Sequence, residues 1–143
     1  MDDDLLSIWR GANDEFFGGR LTPPADVDWH PLTEGEDSLE AFGLYLPQVP
    51  SIAIDERFRF DPEQVGQGDL RENAKMEVAC GLMIHEMVHQ AQHQDRSPGA
   101  GGHGPSFIEI ATAVAASMGT PPPTEADARR WPNIAPWVAA FDL

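Results

Sequence analysis

The sequence predicts an α+β fold in one domain: an N-terminal helix, a small three-stranded antiparallel sheet, a long central helix and a closing helix. Three observations predict it. A stripe of apolar residues at helical spacing opens the chain. Three short segments of alternating polarity follow. The second half then carries two apolar runs too long for strands. At 143 residues the chain has the size of one domain with a substantial core, and its apolar fraction of 41% suits a folded globular protein.

Each element has a local reason. Over residues 2–17, Asp2 to Asp4 can cap a helix and complement its dipole, and Leu5, Trp9, Ala12 and Phe16 form one stripe. Gly18 and Gly19 stop it. In "ADVDWHP", Ala25, Val27 and Trp29 alternate with Asp26, Asp28 and His30, which puts His30 on the polar face. In "AFGLYLP", Phe42, Leu44 and Leu46 share a face. In "SIAIDERFRF", Ile52, Ile54, Phe58 and Phe60 share one, with Glu56 the exception. Pro47 and Pro50 bracket the turn between these two strands, and "LTEGEDSLE" is a polar loop.

After the loop "FDPEQVGQGD", Asp69 and Glu72 stand at capping-box spacing. A helix is expected from about Leu70 to about Gln92, apolar over much of its surface through Met76, Val78, Leu82, Met83, Met87 and Val88, and so central. "RSPGAGGHG" is a glycine-rich loop. Pro105 suits the first position of a closing apolar helix, "SFIEIATAVAASM", which Gly119 ends. The domain is thus expected over 1–119. A stiff proline-rich linker and a short docked tail through Trp131 and Trp137 make up 120–143; prolines from Pro121 to Pro136 bar one long helix.

Composition narrows the function. The lone Cys80 excludes an internal disulfide and a multi-cysteine zinc ribbon, and its apolar helical setting reads as an inert buried thiol. The start, "MDDDLLSIWR", lacks the basic and long apolar regions of a secretory signal, and no window is apolar enough to span a membrane. A soluble, cytoplasmic protein is the expectation. The net charge of -15 opposes a whole-protein attraction to DNA or anionic lipid. Its bland meaning is a solubilising surface; its sharp one is a taste for basic substrates. The basic residues are scattered, the closest groups being Arg57 with Arg59 and Arg129 with Arg130. DNA binding by the isolated chain is therefore expected to be weak or absent, no better than about 10⁻⁴ M at physiological salt.

The segment "LMIHEMVHQAQHQD" carries the chemistry. His85, Glu86 and His89 match H-E-x-x-H on a predicted helix. Positions i and i+4 lie one turn apart on one face, so two imidazoles can converge on one ion. Zinc is the expected metal, and Glu86 can take a proton from the water it activates. Two histidines and a glutamate are costly to bury in an apolar helix without such a task. His93 continues the four-residue spacing. It stands about 12 Å along the axis from His85, whereas two ligands of one zinc lie at most about 4 Å apart. His93 is therefore expected beside the site or at the surface. Two residues can supply the third ligand: His103, from the glycine-rich loop, or Glu109, in the following helix. A metzincin is excluded, because Gln92 and Asp95 stand where its glycine and histidine would be.

Several stretches in order resemble the SprT-like metalloproteases, whose best-known eukaryotic member is Spartan. "NDEFFGGRL" followed by "VDWHP" is similar to the family's opening helix, turn and first strand. "MIHEMVHQAQHQD" is similar to its active-site helix, and "GGHGPSF" to its H-G-P-x-F segment. The resemblance covers residues 5–118. It implies a zincin-like domain, His85, His89 and His103 as zinc ligands, Glu86 as catalytic base and a structural role for Glu109. It also implies hydrolysis of peptide bonds in protein substrates, including proteins attached to DNA. The zinc ribbon and long DNA-binding tails that many members add are missing from this sequence. Two further expectations concern substrate: "SIAID" can offer an edge to an extended peptide or merely complete the sheet, and Tyr45 can hold an oxyanion or simply pack. The competing function is a non-catalytic zinc-stapled binding module, from which the presence of Glu86 discriminates.

Overall fold

The computed structural model describes residues 1–32 and 42–133, and in it the chain is α+β, with three helices and a three-stranded sheet among those residues. Helix α1 spans Asp3–Phe16, and Asp2 caps it by accepting the Leu5 N–H at 2.9 Å. Leu5, Trp9 and Ala12 are buried as the stripe requires. Its fourth member, Phe16, is only half-buried, and Phe17 enters the core instead. Asn13 also sits in the stripe; its amide is satisfied by the Leu21 N–H at 3.1 Å and the Leu21 carbonyl at 3.2 Å.

Strands β1 (Asp26–His30), β2 (Gly43–Leu46) and β3 (Ser51–Asp55) form a sheet in the order β1-β3-β2. It is mixed, not antiparallel. β1 runs parallel to β3, with Val27 opposite Ile52, while β2 runs antiparallel to β3, with Tyr45 opposite Ile52. The directions still alternate along the chain. The lateral order differs from a meander, because β3, whose Ile52, Ile54 and Asp55 are all buried, takes the centre. Alternating polarity sets which face a strand buries; it carries no information on its neighbours. "SIAID" is therefore not an edge. The edge on the side of the central helix is β2, whose outer backbone pairs with no strand among the described residues.

The face of β2 also differs from expectation. Leu44 and Leu46 are 42% and 47% exposed, and Gly43 and Tyr45 face inward. Phe42 is buried before the strand begins, where it meets Phe58 edge-on at 5.2 Å. β3 stops at Asp55, and a 3-10 turn over Glu56–Phe58 turns Glu56 outward while keeping Phe58 and Phe60 in the core. His30 is exposed, as its position on the polar face requires. The expected polar loop, 32–40, lies outside the described residues from residue 33 on.

Helix α2, Leu70–Gln94, is the axis of the molecule. Asp69 caps it through the Arg71 and Glu72 N–H groups, both at 3.1 Å. The Glu72 carboxylate does not complete a capping box; it holds Lys75 at 2.7 Å. From Val78 to Gln92 the helix is buried almost all round, packed against α1, β2, β3 and helix α3 (Pro105–Met118). Pro105 opens α3 and Gly119 closes it at φ 73°, both as expected. Cys80 is half-buried, and burial with the nearby Glu77 pushes its thiol up to about 11, which keeps it protonated and inert. The described part of the tail docks: Ala128 and Trp131 are buried, with Trp131 edge-on to Phe107 at 6.4 Å. Trp137 lies outside the described residues. No helix among those described is long and apolar enough to cross a membrane.

Candidate metal centre

His85 and His89 project from one face of α2, one turn apart, and the loop before α3 brings His103 over them. The three imidazoles converge through the same atom. Nε2 of His103 lies 3.1 Å from Nε2 of His85 and 3.2 Å from Nε2 of His89. Phe107, one turn into α3, forms an apolar floor, its ring 5.0 Å from each of the three imidazole rings. This buried group can hold a metal ion.

The outer nitrogens of the two α2 histidines are fixed. His85 Nδ1–H donates to the Trp131 carbonyl at 2.6 Å, and His89 Nδ1–H donates to Gln92 Oε1 at 2.7 Å. A carbonyl oxygen can only accept, so each ring carries its proton on Nδ1 and turns the lone pair of Nε2 inward. Burial, reinforced by the neighbouring imidazoles, pushes His85 down to about 3 against the pull of the Trp131 carbonyl, and His89 to about 4 against that of Gln92. Both rings are neutral at physiological pH, the state in which imidazole ligates.

Gln92 does more than hold His89. Fully buried, it donates from Nε2 to the Gly102 carbonyl at 3.1 Å and to Ser106 Oγ at 2.9 Å, while Oε1 also accepts the Gly101 N–H at 3.3 Å. One side chain thus ties His89 to both ends of the segment that carries His103. Gly101 stands at φ 93°, a conformation open to glycine at little cost, and this lets the loop fold back over α2.

Glu86 lines the same cavity of about 200 Å³ as the three histidines, with Gly43 and Tyr45 of β2 opposite. It is 5% exposed, and burial pushes its carboxyl up to about 8. β2 passes so close that a Cβ on Gly43 would stand 3.0 Å from Glu86 Oε2. The glycine is what lets strand and carboxylate share the space.

His93 is not in the cluster. It sits at the rim, half-buried, its ring 5.6 Å from that of Tyr45. Glu109 is exposed on α3 and lines a different cavity, with Phe16 and Arg20. Of the two open candidates for the third position, the structure therefore places only His103 with the helix pair. Gln92, the Trp131 carbonyl and Gly43 were not singled out for the site from sequence. Gln92 had a readable signal: it stands three residues after His89, on the same helical face. The other two come from long-range contacts and leave no local mark. Comparison with models of known families, with curated proteins and with solved structures yields no match.

Proposed function

We propose that this chain is a zinc-dependent peptidase of the SprT-like type, with His85, His89 and His103 holding the metal and Glu86 serving as general base. The observation that carries the reading is a buried carboxylate sharing one small cavity with three convergent imidazole nitrogens, those of His85 and His89 neutral. Tetrahedral zinc bound through nitrogen at about 2.0–2.1 Å separates its ligands by about 3.3 Å. The two nitrogen separations to His103, 3.1 and 3.2 Å, fit that edge closely, and all three ligand atoms lie within 4.8 Å of one another. Among the described residues the cluster offers three ligands, which suits a catalytic site with an open position better than a closed structural one. Zinc bound there supplies Lewis acidity, polarising a carbonyl and lowering the pKa of a water.

The chain's own groups divide the remaining work. The Trp131 carbonyl and Gln92 hold two imidazoles in the ligating tautomer. Glu86, drawn toward its ionised form by a neighbouring cation, accepts a proton inside the cavity and passes it to the leaving amine. The outer edge of β2, unpaired among the described residues, runs past the cavity, where an extended substrate can add as a strand. With 24 acidic residues against 9 basic ones, a basic partner or the substrate itself would bring the protein to DNA-associated targets. The test is Glu86→Gln. The variant keeps zinc and fold but loses turnover of an unstructured protein by at least about 10²–10⁴-fold. Unchanged cleavage removes Glu86 from the mechanism. Failure of the wild type to cleave, with or without DNA, favours a non-catalytic zinc-stapled module.

A further inference from the structure

A larger cavity adjoins the metal centre. Its volume is about 460 Å³, against about 200 Å³ for the metal cavity. Ligand pockets run from about 300 to 1,000 Å³, so the larger one can admit a bulky side chain while the smaller has room for little beyond a reacting group. Tyr45 and His93 line both cavities and form the partition between them. The pocket begins close to the chemistry. Tyr45 is two residues along β2 from Gly43, the residue that abuts Glu86, and two strand residues span about 7 Å.

Its walls are mostly apolar for a reason visible in the hydrogen bonds. Gln90 and Gln94 line it, yet neither amide is free. Gln90 accepts from the Trp9 indole N–H at 3.0 Å and donates to the Thr22 carbonyl at 2.7 Å. Gln94 accepts the Thr22 N–H at 2.9 Å and donates to the Arg20 carbonyl at 2.8 Å. Their polar ends are thus turned to the α1–β1 connection. What faces the pocket is mainly side-chain methylene, the rings of Pro47 and Pro50 from the β2–β3 turn, Ala25 and Tyr45, with the His93 imidazole and Thr22 as the polar exceptions; among the described residues no carboxylate, lysine or arginine lines it.

We propose that this pocket is a substrate subsite, taking a large aliphatic or aromatic side chain from a residue within about two positions of the scissile bond. The inference rests on the peptidase reading and names the class of peptide it cleaves. Zinc-loaded Glu86→Gln is titrated, by fluorescence anisotropy, with labelled unstructured peptides in which Leu, Phe or Gly is moved through successive positions. Leu or Phe at one position tightens binding about tenfold or more over Gly, and the other positions show no such preference. Ala25 lines the pocket from an exposed position, so Ala25→Trp fills it from outside. In the Glu86→Gln background that change removes the preference while zinc content and binding of the Gly peptide persist. Equal binding of all three residues at every position overturns the proposal, as does a preference that survives Ala25→Trp. The two readings fail separately. Wild-type cleavage without side-chain preference sinks the subsite alone, whereas selective binding without any wild-type cleavage sinks the hydrolysis and leaves the pocket.

Discussion

Replacing Gln92 with leucine separates what holds the fold from what holds the metal. The change keeps most of the side-chain volume and removes the amide. Four partners then face methyl groups: His89 Nδ1–H, the Gly101 N–H, the Gly102 carbonyl and Ser106 Oγ. The Gly101 bond, at 3.3 Å, is long and counts for little. Each of the others contributes about 0.5–1.5 kcal/mol net. Gly102 is exposed and Ser106 half-buried, so water recovers part of that loss, but His89 is only 7% exposed and its N–H stays unpaired. A destabilisation of about 2–3 kcal/mol follows for the metal-free protein, read by urea unfolding. Zinc affinity falls further than stability alone requires, because His89 loses its tautomeric restraint and the His103 loop loses its anchor. Loss of such a supporting partner weakens metal binding about 10–100-fold, or about 1.4–2.7 kcal/mol. Competition against a chromophoric chelator at fixed pH measures it. Wild-type affinity in a protein whose unfolding midpoint has dropped would refute the reasoning, showing that Gln92 braces the fold without orienting the ligands.

Three further outcomes are expected. His103→Ala lowers zinc stoichiometry sharply by elemental analysis while His93→Ala leaves it nearly unchanged; full retention in His103→Ala with loss in Glu109→Ala would reverse the assignment. Gly43→Ala displaces the Glu86 carboxylate, because a Cβ would stand 3.0 Å from Oε2 and 3.3 Å from Cγ. Such overpacking costs about 1–3 kcal/mol, and turnover falls more than zinc content; unchanged turnover would show that the strand gives way instead. The third concerns pH. His85 and His89 have folded values of about 3 and 4, below the ordinary 6.5, so the unfolded chain binds more protons below pH 6.5 and their burial destabilises the fold increasingly as pH falls. Glu86, raised from 4.5 to about 8, does the reverse: the folded chain binds the extra proton, and stability declines as pH rises from 4.5 to 8. Between 4.5 and 6.5 the two histidines outweigh the one carboxyl, and above 6.5 the carboxyl acts alone. The contribution of these three groups to metal-free stability therefore peaks near pH 6.5 and changes by roughly 1 kcal/mol per pH unit on either side. Urea titrations across pH 5–8, compared with Glu86→Gln, isolate it; a high-pH slope unchanged in the variant would contradict it.

The helices were legible because their causes are local. Asp2 and Asp69 cap, Gly119 terminates, and the apolar spacing of α2 persists for many turns, so bounds within a few residues followed from neighbours alone. The spacing of His85 and His89 was legible for the same reason. The sheet was read less well. Nothing in the alternation of β2 shows whether Leu44 and Leu46 or Gly43 and Tyr45 face the core, since both rows are apolar or small; the passage of α2 decides it. The third metal position left two candidates open to residue-by-residue reading, and the "HGPSF" resemblance implied the one that the structure places beside the helix pair. In the sequence Gln92 marks only the absence of a metzincin glycine, and the Trp131 carbonyl, 46 residues from His85, has no side-chain identity to notice.

That last contact has a temporal consequence. Synthesis delivers residues at about 5–20 per second. The HEMVH helix therefore precedes Trp131 out of the ribosome by about 2–9 s over the 46 residues that separate His85 from its carbonyl partner. In that interval a nascent chain has the helix pair, then His103, but no acceptor holding the His85 ring. The candidate centre is completed in order, with its orienting contact arriving after its three imidazoles. A chain cut at residue 119, where the helical signals end, would be arrested in the same immature state, its three imidazoles present but the His85 ring without its carbonyl partner.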